Sequence, residues 1–122
     1  MIGYLMVGTN NYDKALEYYD ALFATIGGKR AMDFGNSTAY GFAKGPMFCV
    51  TKPYDGNKAT IGNGSMVAIN LASPEQVNAF HATALELGGS DEGAAGPRGD
   101  GGFYAGYFRD LDGNKLCAFT MA

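Results

Sequence analysis

The 122-residue sequence has one histidine, no tryptophan, two cysteines and four prolines. A single imidazole excludes a multi-histidine metal centre and leaves a Ser-His-Asp triad with only His81 to draw on. Two cysteines do not make a disulfide framework. The opening stretch MIGYLMVGTNNYDK has neither a basic n-region nor a small-residue cleavage site, so a cytoplasmic protein with reduced thiols is expected. The sequons Asn36-Ser37-Thr38 and Asn63-Gly64-Ser65 are then chance matches. No apolar run approaches the roughly 18 residues of a membrane helix, and no membrane partner is expected. Basic residues are the minority, nine against twelve acidic, for a net charge of −3. Nucleic acid is therefore not the expected partner, because phosphate contacts need a basic surface.

What is present is a core and many turns. Hydrophobic residues make up 47% and charged residues 17%, a composition that folds as a single domain over 1–122. Glycine supplies nineteen residues, double the usual ~7% share, which suits short strands and tight turns better than a helical bundle.

Residues 2–8 read as a strand. Apolar positions at Tyr12, Ala15, Leu16, Tyr19, Leu22, Phe23 and Ile26 then follow a helical period over 12–26, with Asn11 as N-cap and Gly27-Gly28 as the stop. Strand-like runs at about 29–34, 38–43 and 46–52 follow, and 54–64 reads as a linker. The order then recurs: strand 65–72, a helix opened by Ser73-Pro74 with Gln76 at capping-box spacing, and closed by Gly88-Gly89. After it come a glycine-rich stretch (89–102), the strand FYAGYFRD, the turn DLDGN and the strand KLCAFTM. A shift of 62 maps Tyr4 onto Met66, Asn11 onto Ser73 and Tyr18 onto Phe80, and Gly45-x3-Cys49 matches Gly113-x3-Cys117. The reading is an α+β chain of two tandem βαβββ modules, 1–53 and 65–122, forming curved sheets around a cavity.

Period-two alternation separates the faces of the strands. Leu5, Val7, Phe48, Val50, Val67, Ile69, Leu116 and Ala118 make an aliphatic face for the helices. Tyr4, Met6, Tyr40, Phe42, Cys49, Met66, Asn70, Tyr107, Arg109, Cys117 and Phe119 make a semi-polar face suited either to a small hydrophobic or aromatic ligand or to a partner sheet. Arg98, in the glycine-rich run 96–102 that could act as a flap over the pocket, is a candidate anion contact; otherwise the run is a flexible connection. His81 sits on a helix stripe and reads as a packing or surface residue, and Asp110-Leu-Asp-Gly-Asn114 as a hairpin turn rather than a calcium loop.

The order of elements, the Ala15–Asp20 and Val77–His81 helices and the stretch Tyr107–Lys115 together resemble the vicinal oxygen chelate superfamily: glyoxalase I, extradiol dioxygenases, and bleomycin and fosfomycin resistance proteins. The resemblance covers nearly the whole chain, with Leu111 where the family's D-P-D-G-N hairpin has proline. It implies a homodimer, with the first strand at the interface. It also implies that the family's metal-ligand positions fall at Tyr4, Cys49, Met66 and Cys117. None of these is a histidine or carboxylate, so no metal and no other cofactor is expected; Cys49, Cys117 and Met66 remain open as a soft donor set. The function expected is metal-independent small-molecule binding. The alternatives are a glyoxalase- or dioxygenase-like enzyme with an atypical metal or none, and an interaction module without a ligand.

Overall fold

In the computed structural model, which describes residues 1–121, the chain runs β1 (Tyr4–Gly8), α1 (Tyr12–Ala24), β2 (Lys29–Asp33), β3 (Ser37–Gly41) and β4 (Met47–Thr51). It then repeats the order with β5 (Val67–Asn70), α2 (Pro74–Glu86), β6 (Ser90–Pro97), β7 (Phe103–Arg109) and β8 (Lys115–Met121). The α+β class and the doubled βαβββ order match the sequence reading. The chain divides into two compact units, Met1–Ile61 and a second beginning at Gly62. Among the described residues, no helix is long and apolar enough to cross a membrane.

Both helices start where the side-chain chemistry places them. Asn11 Oδ1 accepts from the Lys14 amide, and Ser73 Oγ from the Gln76 amide with Pro74 in the first turn, each satisfying one of the orphan N–H groups of a helix start. Gln76 reaches one residue further back than a capping box requires, accepting from the Ala72 amide at 2.8 Å.

Each unit holds one four-stranded sheet, ordered β1-β4-β3-β2 in the first and β5-β8-β7-β6 in the second. The first and last strands of each unit pair in parallel, and the remaining pairs are antiparallel. Register brings equivalent residues into equivalent rows. Leu5, Phe48, Tyr40 and Arg30 line up across the first sheet, and Val67, Leu116, Phe108 and Asp91 across the second. These rows lie under the helices. In the first unit Tyr19 and Phe23 of α1 press their rings on Tyr40 and Phe48. In the second, Val77, Phe80 and Ala84 of α2 are buried with Phe108 and Leu116.

The outermost residue of each row is tied back to its helix by side-chain hydrogen bonds. Arg30 donates Nε and Nη2 to the two Asp20 oxygens at 2.8 and 2.7 Å, and Tyr40 Oη donates to the same carboxylate at 2.8 Å. In the second unit His81 Nε2 donates to Asp91 Oδ1 at 3.2 Å and to the Tyr107 carbonyl at 3.0 Å. Gly106 makes room for that imidazole: a Cβ there would stand 2.9 Å from His81 Cδ2 and 3.2 Å from the Ala95 backbone.

The hydrogen bonds from Arg30 hold the Asp20 carboxyl below its ordinary value, with Tyr40 helping and partial burial opposing. A depressed folded-state pKa stabilises the fold above the unfolded-state pKa, and that stabilisation drains as pH falls through the folded value. Lowering the pH from about 6 to about 3 is therefore expected to reduce the urea midpoint of the native protein more than that of Asp20→Asn. The difference will be modest, because the Arg30 and Asp20 side chains are 45% and 42% exposed and solvent screens such pairs.

One expectation is corrected. The glycine-rich stretch 89–102 is not a connection throughout: residues 90–97 form β6, paired with β7 through register shifts around Gly93 and Gly96, and 98–102 link the two strands. It supplies the third strand that completes the second βαβββ unit.

Candidate functional site

The sheet faces turned away from the helices also carry matched rows. Met6, Cys49, Ala39 and Met32 line up across the first sheet, and Ala68, Cys117, Tyr107 and Gly93 across the second. The two thiols thus occupy equivalent places in the repeat. In the first unit Cys49 and Ala39 are buried, while Tyr4, Met6 and Met32 stay 62%, 51% and 48% exposed. Large apolar and sulfur-bearing side chains left accessible in this way suit adaptable contacts with an apolar ligand.

The corresponding face of the second unit is aromatic and cationic. The half-buried Tyr107 ring has the Arg98 guanidinium 5.4 Å and the Lys115 ammonium 5.6 Å from its centroid, distances at which a cation is attracted by the ring. Burial, and then the neighbouring Cys117, raises the Tyr107 phenol above its ordinary value, against the opposing Arg98 charge. Burial likewise raises the thiols of Cys117 and Cys49. At neutral pH these are a phenol and two thiols, not nucleophiles. Phe119 lies on the same face with its ring 5.5 Å from Phe103, and Asn70, its register partner, is exposed.

The two arginines are held by the protein. Arg98 donates Nη1 to the Gly96 carbonyl at 2.9 Å and Nη2 to that of Ala94 at 2.7 Å, so its guanidinium is held against the β6 backbone. Arg109 donates Nε to Glu92 at 3.0 Å and Nη1 to the Gly113 carbonyl at 2.9 Å, which commits it to the β7–β8 turn.

Two of the expected ligand contacts lie elsewhere. Tyr40 is fully buried under α1, bonded to Asp20 and to the Leu16 carbonyl. Phe42 stacks edge-on against Phe23 at 5.0 Å and fills the space beside Gly28, where a Cβ would meet it at 2.5 Å. Both belong to the aromatic packing beneath the helix, because Tyr40 is in register with Phe48 rather than with Cys49. His81 is buried on the helix side of its sheet. Met47 shares the face of Cys49, as alternation along β4 implies; the sequence reading missed Lys115 and Met32 on the opposite faces. Met32 is concealed by a register shift between Arg30 and Met32 that resets the alternation along β2.

The residues at the family's metal positions do not fit a hard divalent cation. Tyr4 and Met66 are exposed, Met66 at 45%, and their phenol and thioether are poor donors for such an ion. Cys49 and Cys117 are buried thiols, one in each sheet, and burial raises both, so the thiolates that a soft metal needs are costlier to form. Among the described residues no group of three or more His, Cys, Asp or Glu side chains is placed to hold a metal.

Paired βαβββ units, each with one helix-covered and one accessible sheet face, define a glyoxalase-type protein. The chain is 36% identical to a glyoxalase/bleomycin resistance protein from Albidiferax ferrireducens T118, with a TM-score of 0.91 over 100% of this chain and 99% of that one. A glyoxalase/bleomycin resistance protein/dioxygenase family enzyme from Burkholderia phytofirmans PsJN shares the fold at 12% identity and a TM-score of 0.80, covering 98% of each chain. TioX from Micromonospora sp. ML1 does so at 12% identity and 0.71, covering 100% of this chain and 99% of that one. Neither a scan against family models nor a search of curated proteins returned a match. The chain belongs to the glyoxalase/bleomycin resistance protein family, within the vicinal oxygen chelate superfamily.

Proposed function

We propose that this protein binds a small hydrophobic or aromatic molecule without a metal, using the accessible sheet faces. The donor set carries the reading: the four metal positions of the family hold phenol, thioether and two protonated thiols. What those faces offer instead is methionine and tyrosine in the first unit and a tyrosine flanked by two cations in the second. An aromatic ligand bearing negative charge suits the second face, since Arg98 and Lys115 have no carboxylate partner among the described residues. Self-association into a homodimer accompanies this reading. The strand order leaves β1 at a sheet edge, and an unpaired edge is a ready surface for a second copy.

The test is a thermal-shift titration with naphthalene-2-sulfonate, with and without EDTA. A compound bound only by the folded state raises Tm, and the expected rise persists in chelator. Tyr107→Leu, which keeps an apolar side chain but removes the ring beneath the cations, is expected to weaken binding about tenfold with little loss of stability. Binding that appears only after a divalent metal is added would overturn this reading and favour a glyoxalase- or dioxygenase-like enzyme.

A further inference from the structure

A cavity of about 400 Å³ opens at the start of α1, wholly within the first unit, and none of its lining residues belongs to the rows described above. The volume falls in the range of small-ligand sites, roughly 300–1,000 Å³. The β1–α1 connection, the β2–β3 turn at Asn36 and residues 52–54 and 56–58, which follow β4, form its walls.

The walls are fixed in place. Asn10 acts as a backbone mimic towards Ala59, donating Nδ2 to its carbonyl at 3.0 Å and accepting from its amide at 2.7 Å. The strand below allows this approach because a Cβ on Gly8 would already stand 3.1 Å from the Ala59 methyl. On the other side Tyr12 Oη shares a 2.6 Å hydrogen bond with the buried Thr38 hydroxyl. Asp55 accepts from the Asn57 amide at 2.9 Å and turns the loop back on itself.

The charge in the cavity is of one sign. Lys52 and Lys58 line it and no carboxylate does, although the chain as a whole carries −3. Neither lysine is in an ion pair among the described residues. Lys52 Nζ stands 5.5 Å from the Tyr12 ring centroid, and a second ring, Tyr54, lies at the lip fully exposed. The neutral part of the lining, including Asn10, Asn36 and Asn57, is rich in hydrogen-bond donors.

We propose that this cavity binds a small aromatic anion, a ring of benzoate size bearing one carboxylate. The carboxylate faces Lys52 and Lys58, and the ring lies on Tyr54. A cationic recess in an acidic protein selects by charge, and the exposed tyrosine supplies the apolar contact that a bare inorganic anion cannot use.

The experiment is an amide-resolved NMR titration of the full chain with benzoate, and with benzylamine as a ligand of like shape and opposite charge. Benzoate is expected to shift the amides of residues 9–12 and 52–58 saturably, and benzylamine is not. The double variant Lys52→Gln/Lys58→Gln is expected to raise the benzoate Kd about tenfold, as befits two partly solvated charge contacts. Both lysines are exposed, so the fold should survive their loss. Equal shifts with benzylamine, or a benzoate Kd unchanged in the double variant, would overturn the proposal. Because the readout is local to residues 9–12 and 52–58, its failure is distinguishable from failure of the sheet-face reading, which is monitored at Tyr107.

Discussion

Replacing Phe23 with alanine is expected to cost about 3–5 kcal/mol, the range for core aromatics. Phe23 is fully buried. Its ring lies 5.0–5.4 Å from those of Tyr19, Tyr40, Phe42 and Phe48. The truncation removes a large apolar surface and leaves four rings facing a void. The ring around which they pack is gone, and Tyr40 is also tied to Asp20, so collapse into the space is restricted. The contrast within the same unit is Met6→Ala, on the opposite face of β1, where half the side chain already meets solvent. Its cost should stay within about 1 kcal/mol. Urea denaturation of the two variants checks the ordering. Equal losses would mean that the methionine face is a packed core and not a binding surface.

The second large effect is expected at Asp110, whose replacement by alanine should cost about 2–4 kcal/mol. This carboxylate is buried and organises the β7–β8 turn. Oδ1 accepts from the Asp112 and Asn114 amides at 2.9 Å each, and Oδ2 from Asn114 Nδ2 at 2.9 Å. The turn closes with Gly113 at a φ of 90°, a left-handed conformation that glycine alone adopts without penalty. Alanine at 110 strands two backbone N–H groups, and the same turn carries the Arg109 anchor at the Gly113 carbonyl. Asp110→Asn retains an acceptor and should fall between the two. Equilibrium unfolding measures all three proteins. A loss below about 1 kcal/mol for Asp110→Ala would show that solvent satisfies the turn as well as the carboxylate does.

These two sites show what was legible in the sequence. The hairpin was readable because a turn motif is local: Asp110, Gly113 and Asn114 bond to one another. The helix starts at Asn11 and Ser73 were readable for the same reason, and the repeat because its strand and glycine positions recur at nearly constant spacing. Alternation also placed Leu5 with Phe48 and Val67 with Leu116. It failed at Tyr40 and Phe42, since it sorts a strand into two faces without saying which one meets the helix. Large aromatic rings fit either a pocket or the space under α1, and long-range register with Phe48 decides between them. Strand β6 was hidden for another reason. Glycine is depleted in strands, so the stretch Gly93-Ala-Ala-Gly96 has the composition of a connection. It pairs because β7 offers a continuous edge and the register shifts absorb the mismatch. The Lys52–Lys58 cavity has no local signature, being assembled by a two-bond contact between Asn10 and Ala59, 49 residues apart.

The chain has six methionines, and none lies in either core. Met1, Met6, Met32, Met66 and Met121 are exposed, and Met47 is half-buried. The interior of the first unit is built mainly from aromatic rings, valine, leucine and alanine, which mild peroxide leaves alone, and its cysteine, Cys49, is buried. An oxidant that converts thioether to sulfoxide therefore reaches the exposed methionines on the open side of the first sheet before it reaches the residues packed under the helix. Such a protein would lose its apolar contacts while keeping its shape, and a reductase acting on exposed sulfoxides could restore them without refolding.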